Sequence, residues 1–205
     1  SPIFYRPIWT AISCISPGCA DPAGPRWPGA LRPSTWARCR ASSPGPGLAG
    51  WHPFGKPGAP VAGWELVDGV LHLPKGAGPG DLISDAHFGD FELVFEWKVA
   101  SGANSGVKYR FRDERELGRV LGPEYQVLDD AAHPDAARAE TSAGALYALI
   151  EPAAGKPLRK AGEWNEGRVI ARGGRLEHWL NGVRLLAVEL DGTQWNERKA
   201  ASKFA

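Results

Sequence analysis

Three two-residue turns constrain this chain more than any other feature: Asp68-Gly69, Gly173-Gly174 and Asn181-Gly182. A type I′ hairpin needs positive φ at both central residues, which Asp-Gly, Asn-Gly and Gly-Gly tolerate and most pairs do not. Each dipeptide is flanked by short apolar runs, 64–67 with 70–73, 168–172 with 175–180, and 176–180 with 183–190. Between them, residues 91–99, 106–112, 124–128 and 146–150 read as further strands. Helical periodicity is nearly absent, and 134–140 is expected to make a single turn. Many short strands with few helices specify an all-β sandwich or barrel, and we read a sandwich of the jelly-roll kind.

The strands carry information about faces, because side chains alternate with period two. From Phe91 to Val99 every odd position is apolar, while Glu92, Val94, Glu96 and Lys98 take the even ones. Val107, Tyr109 and Phe111 alternate with Lys108, Arg110 and Arg112, and Tyr125 and Val127 with Glu124, Gln126 and Leu128. The expectation is one sheet with a core face and a polar face bearing Glu96, Lys108, Arg110, Glu124 and Gln126. A solvated outer face is the ordinary alternative for an antiparallel sheet. Both signs of charge, an amide and nearby aromatics favour a saccharide surface, whose hydroxyls need donors and acceptors and whose ring faces need stacking partners.

Residues 1–47 differ from everything after them. They are rich in Pro, Gly, Ala, Ser and Arg and show neither period. Such a stretch buries too little apolar surface to offset its ordering entropy. It is expected to be a disordered or non-native leader without function, with the domain running from 48 to 205. Cys14, Cys19 and Cys39 all fall within it, an odd set with no CxxC zinc spacing. The net charge of +1 gives no reason to expect nucleic acid as a partner. No apolar run is long enough to span a bilayer, and no signal-peptide pattern is visible after the initial Ser1.

Several motifs together resemble the 3-keto-disaccharide hydrolase domain family, also described as 3-keto-glucoside lyases and 3-keto-2-hydroxy-glucal hydratases. They begin with Gly50-Trp51-His52, Gly63-Trp64 and Gly80-Asp81-Leu82-Ile83-Ser84, then Phe88-Gly89-Asp90-Phe91-Glu92-Leu93 and Glu96-Trp97-Lys98. The most specific are Asn104-Ser105-Gly106-Val107-Lys108-Tyr109-Arg110 and Gly122-Pro123-Glu124-Tyr125-Gln126-Val127-Leu128-Asp129-Asp130. Ala143-Gly144-Ala145-Leu146-Tyr147, Gly162-Glu163-Trp164-Asn165 and His178-Trp179-Leu180-Asn181-Gly182 follow. The resemblance implies a concanavalin-A-like jelly roll of two antiparallel sheets, a saccharide substrate and a periplasmic or extracellular setting. It also implies departures: the family's first strand is replaced by the leader, and the chain stops after Ala201-Ser202-Lys203-Phe204, before a final strand. A fold lacking its native terminal strands, and a copy made unstable or inactive by truncation, are the expectation.

The implied chemistry is elimination at a sugar with a ketone at C3, followed by addition of water. It needs a base for the C2 proton, an acid for the leaving oxygen and a positive or hydrogen-bonding group at the enolate oxygen. Glu96 and Glu124 are the expected carboxylates, Lys108 or Arg110 the enolate partner, and His178 a further catalytic candidate. Asn104, Gln126 and Asn165 are expected to bind hydroxyls, with Asp129 and Tyr147 at the rim. Structural readings stand beside these. Lys108 and Arg110 suit cross-strand pairing with Glu96 and Glu124, Asn104 suits a turn, Asp129 suits a turn cap, and His178, Trp164 and Trp179 suit the core. No cofactor is predicted; the five His show no metal motif, and a divalent metal is left open. Two other functions remain in view: a glycosidase with Glu96 and Glu124 about 5 to 9 Å apart, and a carbohydrate-binding module without turnover.

Overall fold

The computed structural model describes residues 2–6, 48–76, 81–114 and 119–204, with the backbone alone at 6, 112–114 and 119–121. Its largest element is a seven-stranded antiparallel sheet. In chain order its strands are β1 (Ile3–Arg6), β3 (Glu65–Val67), β4 (Val70–Leu73), β6 (Phe91–Val99), β11 (Asn165–Arg172), β12 (Arg175–Leu180) and β13 (Val183–Glu189). Their spatial order is β13-β12-β11-β6-β1-β4-β3. Among the described residues three two-stranded sheets complete the β structure: β2 (Trp51–Pro53) with β5 (Leu82–Ser84), β7 (Asn104–Lys108) with β10 (Glu124–Leu128), and β8 (Arg112–Glu114) with β9 (Arg119–Leu121).

The hairpins form where the turn residues require them. Asp68 and Gly69 have φ of 50° and 73°, and Asn181 and Gly182 have φ of 47° and 81°. Alternation along β6 then fixes the core. Phe91, Phe95, Trp97 and Val99 are buried on one face, and the β7–β10 pair packs on that same face. The rings of Phe95 and Tyr125 meet edge to face with centroids 5.3 Å apart. Trp97, Tyr125, Val127, Val169, Leu176 and Leu180 are completely enclosed. Each contributes about 1.5–3 kcal/mol by leaving water. The result is the expected all-β antiparallel sandwich.

The structure departs from the sequence reading in four places. Ile3–Arg6, within the supposed leader, is a strand inserted between β4 and β6. Ile3 is buried and Tyr5 packs against the core, while Phe4 stacks on His72 at 4.4 Å on the other face. Unpaired edges of β4 and β6 are what recruit such a segment. The rest of the segment, 7–47, lies outside the described residues. Residues 146–150 are not a strand: the Leu146 amide donates to the Ile150 carbonyl across a tight loop with Ala148 at φ 56°. The strand expected over 106–112 is interrupted after Lys108, where Arg110 takes φ 46°, and pairing with the same returning segment resumes at Arg112 in β8. Finally, Thr193–Ala200 forms a helix, α1, that the periodicity did not reveal. The single helical turn expected at 134–140 is present as two short 3-10 turns, Pro134–Ala137 and Ala139–Thr141.

Candidate active site

The register of β7 and β10 builds the site. Glu124 lies opposite Lys108, Gln126 opposite Gly106 and Leu128 opposite Asn104. Tyr125 and Val127 point into the core, so Glu124, Gln126, Lys108 and Asn104 share the outer face of this short sheet, on which Gln126 and Leu128 are themselves covered. Gln126 is held on both sides. Its backbone pairs with Ala145 and Gly144, and its side-chain amide donates to Asn104 Oδ1 at 3.1 Å. Asn104 passes the chain on, donating to Asp135 Oδ2 at 3.1 Å. His133 stands beside it, its Nδ1 accepting from the Asp135 amide at 3.1 Å and thereby capping the first 3-10 turn.

The surroundings of Glu124 perturb its carboxyl. Burial pushes its pKa up, Lys108 pulls it down, Asp81 pushes it up and Lys203 pulls it down. Lys108 Nζ also lies 3.6 Å from Asp81 Oδ2. Tyr147 closes another side: its amide donates to the Glu124 carbonyl at 3.0 Å, and Lys203 Nζ sits 4.4 Å from the centre of its ring. A carboxyl partly withdrawn from water, flanked by two ammonium groups, can accept a proton while a neighbouring cation stabilises the negative charge that results.

Five expected site residues therefore converge: Glu124, Lys108, Gln126, Asn104 and Tyr147. The other five do not. Glu96 is on β6, in the long sheet, with its side chain opposite in direction to Phe95 and Trp97. The core separates it from Glu124. Stacked sheets lie about 10 Å apart, and the two carboxyls leave their sheets in opposite directions. Period two reports the face of a strand and not which sheet holds it. Glu96 instead lines a separate cleft of about 330 Å³ with Arg159, Trp164, Asn165, Glu166 and Asn181.

Asn165 is 1% exposed, its side-chain oxygen accepting from the Arg159 amide at 3.0 Å and from Asn181 Nδ2 at 2.9 Å, so it fastens a loop to a hairpin. Arg110 swings away through its left-handed backbone and pairs with Asp90 at 2.7 Å. Asp129 accepts from the amides of Gly102 at 2.8 Å and Ala131 at 3.2 Å, holding two turns together. His178 is completely buried in the core, between Tyr109 and the Gly144 carbonyl. These four act on structure rather than on the outer face.

Four residues of the niche were not anticipated: Asp81, His133, Asp135 and Lys203. Lys203 belongs to the Ala201-Ser202-Lys203-Phe204 motif and Asp81 to Gly80-Asp81, so both were marked as motif positions without a role. His133-Pro134-Asp135 is a recognisable cap in front of a helical turn, but nothing local ties it to Asn104. Among the described residues no group of three or more His, Cys, Asp or Glu side chains clusters as a metal cage requires. No helix among them is long and apolar enough to cross a membrane.

The architecture defines a jelly-roll β sandwich carrying an acid–cation niche on the outer face of its short sheet. Residues 40–204 match the 3-keto-alpha-glucoside-1,2-lyase-like domain, and the chain belongs to that family. A relative from Bacteroides thetaiotaomicron, a 3-keto-disaccharide hydrolase, is 34% identical over 176 residues, covering 76% of this chain. The chain spans 60% of that relative's length. Two crystal structures from Parabacteroides distasonis, provisionally named glycosyl hydrolases, share the fold. One has a TM-score of 0.68 at 27% identity, covering 77% of this chain and 75% of its own. The other has a TM-score of 0.58 at 25% identity, covering 72% and 71%.

Proposed function

We propose that this domain cleaves 3-keto-glycosides by elimination and rehydration, with Glu124 as the base. The observation that carries the reading is the register pair of Glu124 and Lys108, set in a niche where burial raises the carboxyl pKa. A base whose pKa is lifted toward the working pH combines availability with proton affinity.

The C3 ketone acidifies the C2 proton. Glu124 removes that proton, and the electron pair is delocalised onto the C3 oxygen as an enolate. The ammonium groups of Lys108 and Lys203 are the cations at hand for this charge. Collapse of the enolate forms the C1–C2 double bond and breaks the bond from C1 to the aglycone oxygen, which leaves with a proton from an acid of the niche. Water then adds its oxygen to C1, and a proton returns to C2. The sum is hydrolysis of the glycosidic bond. Asn104, which is exposed, suits hydroxyl recognition, and the buried Gln126 holds it in place through their hydrogen bond.

The two-carboxylate glycosidase built on Glu96 and Glu124 has no support here, because these residues lie on opposite layers. The test is to incubate the protein with an aryl 3-keto-glucoside and with the unoxidised glucoside, each with added divalent metal and with chelator. Release of the phenol from the keto form alone is expected, and Glu124→Gln is expected to lower it by about 10²–10⁴-fold. Release from the unoxidised form would show an ordinary glycosidase instead. Binding of the keto form without release would show a binding module.

A further inference from the structure

We propose that Gly106 is a positioning residue whose missing side chain leaves the berth in which the Glu124 carboxylate lies. The inference rests on the reading of Glu124 as the base. Gly106 sits in the middle of β7, between Asn104 and Lys108 on the outer face. A Cβ at this position would stand 1.9 Å from Glu124 Oε1, 2.7 Å from its Cδ and 2.8 Å from its Cγ. A Cβ keeps no non-bonded neighbour so close, so one of the groups must move.

The backbone does not ask for glycine here. Gly106 is not among the residues with positive φ, whereas nearby Gly102 has φ 67°. Glycine inside a strand weakens it and often marks a place where something approaches closely. At the other crowded glycines the approaching group is structural: the Phe111 backbone at Gly122, the Leu185 side chain at Gly144 and the Phe95 ring at Gly167. At Gly106 it is the end of a flexible acidic side chain. An alanine there is therefore compatible with the fold and incompatible with the present place of the carboxylate. The displaced group moves toward solvent and loses part of the burial that raises its pKa.

The experiment compares wild type, Gly106→Ala, Glu124→Gln and the double variant on an aryl 3-keto-glucoside, with thermal unfolding of each. Gly106→Ala is expected to fold with a melting temperature no lower than wild type and to lose about 10²-fold in kcat/KM, the scale of an ångström-sized misplacement. Its acid limb in the pH profile of kcat/KM should move to lower pH, which a change in packing alone does not produce. In the Glu124→Gln background the same alanine should change kcat/KM by less than about twofold, because the group it displaces is already disabled. Full activity and an unshifted profile in Gly106→Ala, with Glu124→Gln impaired, overturn the positioning role and leave the base intact. So does a full additional loss in the double variant. A Gly106→Ala protein that does not fold also overturns it, since only a side chain should have to move. Wild-type turnover by Glu124→Gln sinks the base reading itself.

Discussion

In the centre of the sandwich, His178 Nε2 and the Tyr109 hydroxyl lie 2.7 Å apart. The other ring nitrogen faces the Gly144 carbonyl at 3.1 Å. A carbonyl only accepts, so Nδ1 carries the proton and Nε2 accepts from the tyrosine. The imidazole is thus satisfied as a neutral group, and burial lowers its pKa to about 4. In the unfolded chain the same side chain titrates near 6.5. Between those values the unfolded state binds more protons than the folded one, so stability rises with pH across the window and falls as the solution is acidified through it. The expected loss between pH 7.5 and pH 5 is about 2 kcal/mol from this residue. Urea unfolding at both pH values should show it, and His178→Gln, less stable at neutral pH, should lose this dependence. An unchanged slope in the variant would falsify the assignment.

A second buried arrangement supports the site from below. Lys156 Nζ lies 2.7 Å from Asp130 Oδ2 and donates to Ser142 Oγ and the Ala143 carbonyl, each at 2.7 Å. Asp130 in turn accepts from the Ala143 amide at 2.8 Å. Burial lowers the lysine pKa and Asp130 opposes that shift. The clamp fixes the segment whose next residue, Gly144, donates to the Gln126 carbonyl. Removing one partner of a fully buried pair costs about 3–5 kcal/mol. Both side chains here retain some solvent contact, so Lys156→Met is expected to cost about 2 kcal/mol in urea unfolding. A double-mutant cycle with Asp130→Asn should show strong coupling; simple additivity would mean that the ion pair contributes nothing of its own.

Much of this architecture was legible in local chemistry. Asp68-Gly69 and Asn181-Gly182 turn because those residues accept positive φ. Alternation from Phe91 to Val99 assigns the core face residue by residue. The same alternation misplaced Glu96, since parity is a property of one strand and the partition into layers depends on which strands pair. His178 shows the converse. Its parity with Leu176 and Leu180 marked an inward position, yet what makes a histidine tolerable there is a tyrosine 69 residues away together with the Gly144 carbonyl. Arg110 and Ala148 defeated the strand reading because each has a positive φ that neither residue type advertises. Asp81 and Lys203 come to Glu124 from distant parts of the chain, and no spacing rule connects them.

Two glycines with nearly equal φ should respond differently to alanine. Gly144 has φ 80° and Gly182 has φ 81°. At Gly182 a Cβ meets nothing within 4 Å, whereas at Gly144 it falls 2.2 Å from Leu185 Cδ1. Gly182→Ala therefore carries the left-handed strain alone, about 1 kcal/mol. Gly144→Ala adds displacement of a buried leucine, for a total of about 2–4 kcal/mol. Chemical denaturation of the two variants measures the difference directly, and equal losses would show that Leu185 yields without resistance.

The electrostatics of Glu124 make the sharpest prediction about activity. A base works in its ionised form, so kcat/KM should fall on the acid side as Glu124 takes up a proton. Burial raises its pKa, so that fall is set at higher pH than for an exposed glutamate. The neighbours then set the direction of each variant. Lys108 favours the carboxylate, and its replacement by Met should move the acid limb to higher pH; Lys203→Met should move it the same way by less. Asp81 disfavours the carboxylate, so Asp81→Asn should move the limb to lower pH. Opposite shifts from the lysine and aspartate variants, read from kcat/KM against pH on an aryl 3-keto-glucoside, are the signature of one shared carboxyl. If all three profiles coincide with wild type, the titrating group is not Glu124, and the base must be sought elsewhere on the outer face.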